Sequence, residues 1–219
     1  MEPSTLVARV RRMISGVVAK QPRLGRALRE DTWGHSKTWM VGRVKGTEEI
    51  GLPVRTWTQK YLTALSLGPW RIPQQLHQKN LFLSRVGDVE WSNLSPREAR
   101  SLPFRLNWQR QQALTLHRNL RRIGWTFDDL CAHLKRLTGD GAYSVLATLS
   151  AVNGYSKCLD FFVREGLRLD TVPIDRHVRR VLTRFGLANV PPPYLTYLIR
   201  AAGFEPRLVA PVLYQRGLG

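Results

Sequence analysis

The sequence predicts a mostly α-helical fold, and three observations carry that prediction. Apolar residues recur at three- and four-residue intervals in most segments, alternating strand patterns are scarce, and capping or breaking residues cut the chain into helix lengths. Thr5–Lys20 sets apolar residues on one side and Arg on the other, as an amphipathic helix does. Asp31–Gly51 is richer in Gly and Trp, poorer in pattern, and reads as a loop or a short hairpin. Thr56–Leu67 is helical in spacing and Gly68-Pro69 stops it; Ile72-Pro73 then precedes a helix over Gln74–Val86. Ser95-Pro96-Arg97-Glu98 is a helix start, with Ser as N-cap and Pro at the first helical position, and Pro103 soon ends that helix.

A long helix runs from Asn107 to Ile123, with a basic outer face and Gly124 as its stop. Thr126-Phe127-Asp128-Asp129 restarts a helix that should end at Gly139, and Tyr143–Leu149 forms a short one. An Asn153-Gly154 turn, a helix from about Ser156 to Arg164 and an extended Leu169–Pro173 follow. Asp175 opens a helix that stops at Gly186, and after the Pro191-Pro192-Pro193 break a last helix covers about Tyr194 to Ala202. No internal repeat or low-complexity tract interrupts this series.

The 219 residues, 43% of them hydrophobic, suffice for one domain or a compact pair of lobes. The formal charge of +18, from 34 Lys and Arg against 16 Asp and Glu, is spread over the whole chain and suits a polyanion. Nucleic acid leads; a membrane surface is second, because the cations do not gather on one apolar-faced helix. Cys131 and Cys158 are too few for a four-cysteine cluster and too far apart for a zinc pair, so no metal or cofactor is expected. Both cysteines read as reduced and intracellular. No apolar run reaches the roughly 20 residues of a membrane helix. The expected place is the cytoplasm or nucleoid, or the mitochondrion or nucleus in a eukaryote. The basic first 30 residues lack a signal peptide's apolar centre. Leu6, Val7, Val10, Ile14, Val17 and Val18 fit a core-facing helix as well as a mitochondrial presequence.

Lys157 and Asp175 stand 18 residues apart, each at a helix start, with an apolar helix-length segment between them. An amine and a carboxylate facing each other across a cleft can break an N-glycosidic bond through a covalent imine. Taken singly, Lys157 reads as a solvated helix lysine and Asp175 as an N-terminal helix carboxylate; together, in this order, and followed by His177 and Arg179, they read as chemistry.

Ala142–Leu187 resembles the helix-hairpin-helix DNA glycosylases, the superfamily of endonuclease III and 8-oxoguanine glycosylase. The likeness rests on a short helix ending in Leu149, a glycine-bearing turn, Lys157 at the next helix start, and P-I-D-R-H-V-R-R-V-L-T-R-F-G-L at Pro173–Leu187. Arg110-Gln111-Gln112-Ala113 looks like a helix of the same family, so the likeness spans roughly Trp108–Leu187. It places Asp175 on the catalytic Asp, Lys157 on the imine-forming lysine of the bifunctional branch, and His177, Arg179 and Arg180 on DNA-facing positions. The family's L-P-G-V-G hairpin is replaced by Ser150-Ala151-Val152-Asn153-Gly154-Tyr155-Ser156, with one glycine of two. Asn153 tolerates the left-handed region that the missing glycine would supply, so Asn153, Gly154, Tyr155 and Ser156 are expected on the DNA. The four-cysteine iron–sulfur cluster of some members is absent.

The resemblance implies an all-α, two-lobed monomer with its active site in the cleft between lobes. Residues 1–95 and 174–219 are expected to build one lobe and 96–173 the other. The implied partner is double-stranded DNA carrying a damaged or modified base, flipped from the stack and read in a pocket. Trp33 and Trp39, in an irregular stretch of the kind that carries recognition, are the candidates for that pocket. The amine must be neutral to attack, and burial plus the helix dipole would lower its pKa. Oxidised purines, oxidised pyrimidines and decorated bases of foreign DNA all remain open as targets. So do two other classes: a non-catalytic helical DNA-binding protein and a basic RNA-binding domain.

Overall fold

The computed structural model describes residues 2–20, 56–66, 72–87 and 89–218. These residues are all-α, with eleven α-helices and no strand. In chain order they are α1 (Pro3–Lys20), α2 (Trp57–Leu65), α3 (Ile72–Val86), α4 (Pro96–Ser101), α5 (Asn107–Ile123) and α6 (Phe127–Leu134). Next come α7 (Gly139–Leu149), α8 (Lys157–Phe161), α9 (Arg176–Arg184), α10 (Pro192–Ala201) and α11 (Pro206–Leu218). The loop or hairpin expected over Asp31–Gly51 lies outside the described residues. No helix among those described is long and apolar enough to cross a membrane.

Local chemistry sets most of the helix ends. Ser95 caps α4 as expected: its Oγ accepts from the Glu98 N–H at 3.2 Å while the Glu98 carboxylate accepts from the Ser95 N–H at 2.8 Å. Thr56 and Gln59 make the same reciprocal pair at the head of α2. Gly124 (φ 71°) and Gly186 (φ 68°) take the left-handed turn just beyond α5 and α9, where a side chain would be strained.

Three expectations are corrected. The helix expected to run to Gly139 ends at Leu134, and Gly139 opens α7 instead. Thr138 caps that start through a bond from the Gly141 N–H, so two glycines are tolerated in a turn whose N–H groups have no helical partner. The helix expected over Ser156–Arg164 is the short α8 followed by a π-helical turn, Phe162–Gly166. Finally, α11 extends beyond the helix expected to be the last. Its Pro211 removes a helical hydrogen bond, a loss of about 3 kcal/mol in a helix interior, and the burial of Val209, Ala210, Val212 and Leu213 offsets it.

The helices form two compact units. One joins α1 to everything from Arg168 onward; the other runs from α2 to Leu167. The expected lobes, 1–95 with 174–219 and 96–173, assigned α2 and α3 to the termini, but both pack within the middle of the chain. Tyr61 of α2 sits 5.2 Å from the Phe127 ring and 5.5 Å from Phe162, and Phe82 of α3 lies 4.7 Å from Phe104. Aromatic contacts of this size outweigh proximity in sequence.

The first unit has an almost wholly apolar core. Leu6, Val10, Met13 and Ile14 of α1 meet Val178, Val181 and Leu182 of α9, together with Leu195, Leu198 and Ile199 of α10. Thr171 and Thr196 are its buried polar side chains among the described residues. The second unit also buries Gln109, Gln112, His117, Ser150, Asp160, Arg164 and Glu165. His117 Nε2 donates to the Leu94 carbonyl at 2.8 Å, and burial lowers its pKa. This is a satisfied structural role.

Candidate active site

The loop between α7 and α8 is built around a residue poorly suited to its conformation. Beyond α7, the Val152 N–H reaches the Ala147 carbonyl at 2.9 Å and the Ala151 N–H reaches Thr148 at 3.1 Å. This paired closure normally places glycine in the left-handed region, and Ala151 occupies it at φ 49°. Gly154 supplies the second left-handed turn at φ 86°. Asn153 was expected to stand in for the missing glycine; the residue that does so is Ala151.

Side chains from other helices tie this loop down. The Tyr143 hydroxyl accepts from the Ser156 N–H at 2.7 Å and donates to the Gly154 carbonyl at 3.3 Å. Asn119 of α5 donates to the Leu149 carbonyl at 2.8 Å. Tyr155 stacks on Tyr143, with ring centroids 5.8 Å apart, and its hydroxyl donates to Asp160 Oδ2 at 2.7 Å. Burial raises the Tyr143 pKa, partly countered by the Ser156 N–H bond, so its hydroxyl remains protonated at neutral pH.

Ser156 then caps α8, accepting from the Leu159 N–H at 3.5 Å, and Lys157 is the first helical residue. It sits at the helix start, as expected, but its side chain is exposed rather than buried. The burial expected around this amine is therefore not present in the free protein. Cys158, the next residue, is buried and its thiol is pushed up to about 11 by desolvation, which leaves it a structural rather than a nucleophilic group.

Lys157 edges an open cleft of about 660 Å³ that lies wholly within the second unit. The start of α5 forms one side, including Trp108, Gln111 and Gln112; the other is Ser150–Val152 and Tyr155–Cys158. Trp108 is 46% exposed and Tyr155 36%. Gln112 and Ser150, by contrast, are buried, and close enough to the Tyr61 hydroxyl to ease its loss of water, which still raises the Tyr61 pKa. Even so, Gln112 Nε2, Ser150 Oγ and Tyr61 Oη complete no well-formed hydrogen bond among the described residues.

Asp175 lies in the first unit as the N-cap of α9. Its Oδ1 accepts from the His177 N–H at 2.8 Å and the Val178 N–H at 2.9 Å. His177, expected on the DNA, is engaged within its own unit. Its ring packs edge-on against Tyr214 at 5.2 Å, and its Nε2 accepts from Arg176 Nε at 3.1 Å. Arg179 and Arg180 are exposed on α9.

The structure thus groups Tyr155, Ser156 and Lys157 around one cleft, with Asn153 and Gly154 exposed at the loop tip. Asp175, His177, Arg179 and Arg180 share the start of α9. Trp33 and Trp39 lie outside the described residues. Sequence reasoning missed Tyr143, Gln112 and Ser150, whose roles come from packing. Trp108 stood among seven tryptophans with nothing in the pattern to single it out, whereas Trp91 is core. Among the described residues no cluster of His, Cys, Asp and Glu could hold a metal. Comparison with family models, with curated proteins and with solved structures finds no match to this chain.

Proposed function

We propose that this chain is a bifunctional DNA glycosylase, excising a damaged or modified base through an imine at Lys157 and then nicking the strand. The observation that carries the reading is Lys157 itself: an amine at a helix start, after a tightly tied hairpin, on the edge of an aromatic-walled cleft. The P-I-D-R-H sequence and the capping carboxylate of Asp175 support it, as does the +18 charge, which suits phosphate. The fold proposed with it is the two-lobed helix-hairpin-helix one, in which Lys157 and Asp175 act on the same extruded deoxyribose.

In the proposed reaction the neutral amine attacks C1′ and the bond from C1′ to the base nitrogen breaks. The base leaves with the electron pair and takes a proton, while the amine loses one. The sugar ring opens to the iminium, a C2′ proton is removed, and the 3′ phosphate is expelled by β-elimination. Asp175 steadies the positive charge that develops on the sugar and relays protons. Since Lys157 is exposed in the free protein, bound DNA must exclude water from around it before the amine attacks.

Borohydride trapping on a panel of lesion-bearing duplexes tests this directly. The wild type should form a covalent adduct with one of them and Lys157→Gln should form none. Excision without trapping would refute the role of Lys157. Its solvent exposure, ordinary for a helix lysine, favours one other reading: a non-catalytic hairpin that grips phosphates. In that case Lys157→Gln would leave activity untouched, apart from a small loss of salt-dependent affinity.

A further inference from the structure

We infer that the cleft beside Lys157 is the subsite for the extruded base, with Trp108 as its stacking face and Gln112 and Ser150 reading the base edge. The inference deepens the glycosylase reading and rests on it. Three observations inside the second unit carry it, and none involves the tryptophans that sequence alone favoured.

The first is the pair of aromatic walls. Trp108, in the first turn of α5, leaves nearly half its surface in water beside a cleft large enough for a ligand. Tyr155 faces the same space with its ring fixed by stacking on Tyr143 and by its bond to Asp160. A planar base finds there one exposed indole face and one ring that is already ordered, so stacking there costs little side-chain entropy.

The second is unspent hydrogen-bonding capacity. Gln112 and Ser150 line the cleft, yet Gln112 Nε2 and Ser150 Oγ are buried without a hydrogen bond among the described residues, next to a Tyr61 hydroxyl in the same state. Unmade bonds of this kind cost stability and call for an explanation. These groups lie together at the cleft wall beside the Tyr61 hydroxyl, and turning toward a base edge in the cleft would supply the partners they do not have in the free protein.

The third is charge. Among the described residues the lining holds Lys157 and no carboxylate. That lining offers a cationic, N-alkylated base no carboxylate to pair with, while an uncharged base pairing a carbonyl with an N–H suits an amide and hydroxyls that both donate and accept. The chemical class is therefore an uncharged, lactam-edged base.

The test uses the full chain on duplexes bearing 8-oxoguanine, thymine glycol, cationic 7-methylguanine or a preformed abasic site. The wild type should excise an uncharged base and spare the cation. Trp108→Ala should lose about ten- to hundredfold in excision yet keep borohydride trapping at the abasic site, where no base is stacked. Trp108→Phe should recover most of the loss. Gln112→Ala should lower excision about tenfold yet keep borohydride trapping at the abasic site, which a general loss of folding would not spare.

Preference for 7-methylguanine, or equal loss by Trp108→Ala on base-bearing and abasic duplexes, would overturn the subsite. If the wild type fails to trap even the abasic site, the imine reading falls and binding decides the subsite. The wild type should then prefer a base-bearing duplex over one carrying a tetrahydrofuran abasic analogue, and Trp108→Ala should cut that preference about tenfold. No preference, or one that Trp108→Ala leaves unchanged, would overturn it.

Discussion

Lys157 and Asp175 share one proposed task but are held by opposite means. Asp175 is placed by its own helix: its carboxylate caps α9 through two backbone bonds, over a core that is almost wholly apolar. Lys157 is placed from a distance. Tyr143 and Asn119 pin the loop before it, and Ala151 bends that loop in a conformation unfavourable to it. The second unit also carries nearly all the buried polar side chains described. A local cap is robust and readily replaced; a site assembled from several helices is adjustable, and fails when a distant group is lost.

Substitutions at Asp175 test the simpler half of that contrast and should give the largest effect. Asp175→Asn retains an N-capping side chain, so melting and DNA affinity should hold while single-turnover excision falls by about 10²- to 10⁴-fold. Asp175→Ala should add a stability loss of about 1 kcal/mol, seen in denaturant unfolding. Equal losses of binding and excision in the Asn variant would break the assignment of Asp175 to chemistry.

Tyr143→Phe tests the other half. It strands the Ser156 N–H and Gly154 carbonyl and should destabilise the loop by about 1–2 kcal/mol, with faster amide exchange over residues 152–157. Excision should fall with it, although Tyr143 would touch no DNA. Amide exchange unchanged in that loop would show that Lys157 is positioned by its own helix after all. The smallest effect is a gain: Ala151→Gly removes the side chain strained at φ 49° and should stabilise the protein by about 1 kcal/mol, measured as a higher unfolding midpoint at unchanged denaturant slope.

How legible each part was in the sequence follows from the range of the forces involved. The caps at Ser95, Thr126 and Asp175 and the stops at Gly124 and Gly186 act within one helical turn, and their residues announce them. The all-α class follows from periodicity, and the affinity for a polyanion is expected from charge alone. Lys157 heads a helix in the structure as in the sequence reading. The start of α7 was missed because two glycines argue against a helix until Thr138 is recognised as its cap, and α11 because two prolines argue against it until its burial is known.

The amino-acid sequence by itself determined most of the helices, the caps at Ser95, Thr126 and Asp175 and the excess positive charge, because each depends on residues a few positions apart. Tertiary structure alone decided that α2 and α3 join the middle of the chain, that Ala151 takes the left-handed turn, and that Trp108, Gln112, Ser150 and Tyr155 line one cleft with Lys157. Those outcomes depend on aromatic packing and on bonds such as Asn119 to Leu149, 30 residues apart. Side chains brought together by a whole core leave no period in the sequence to read.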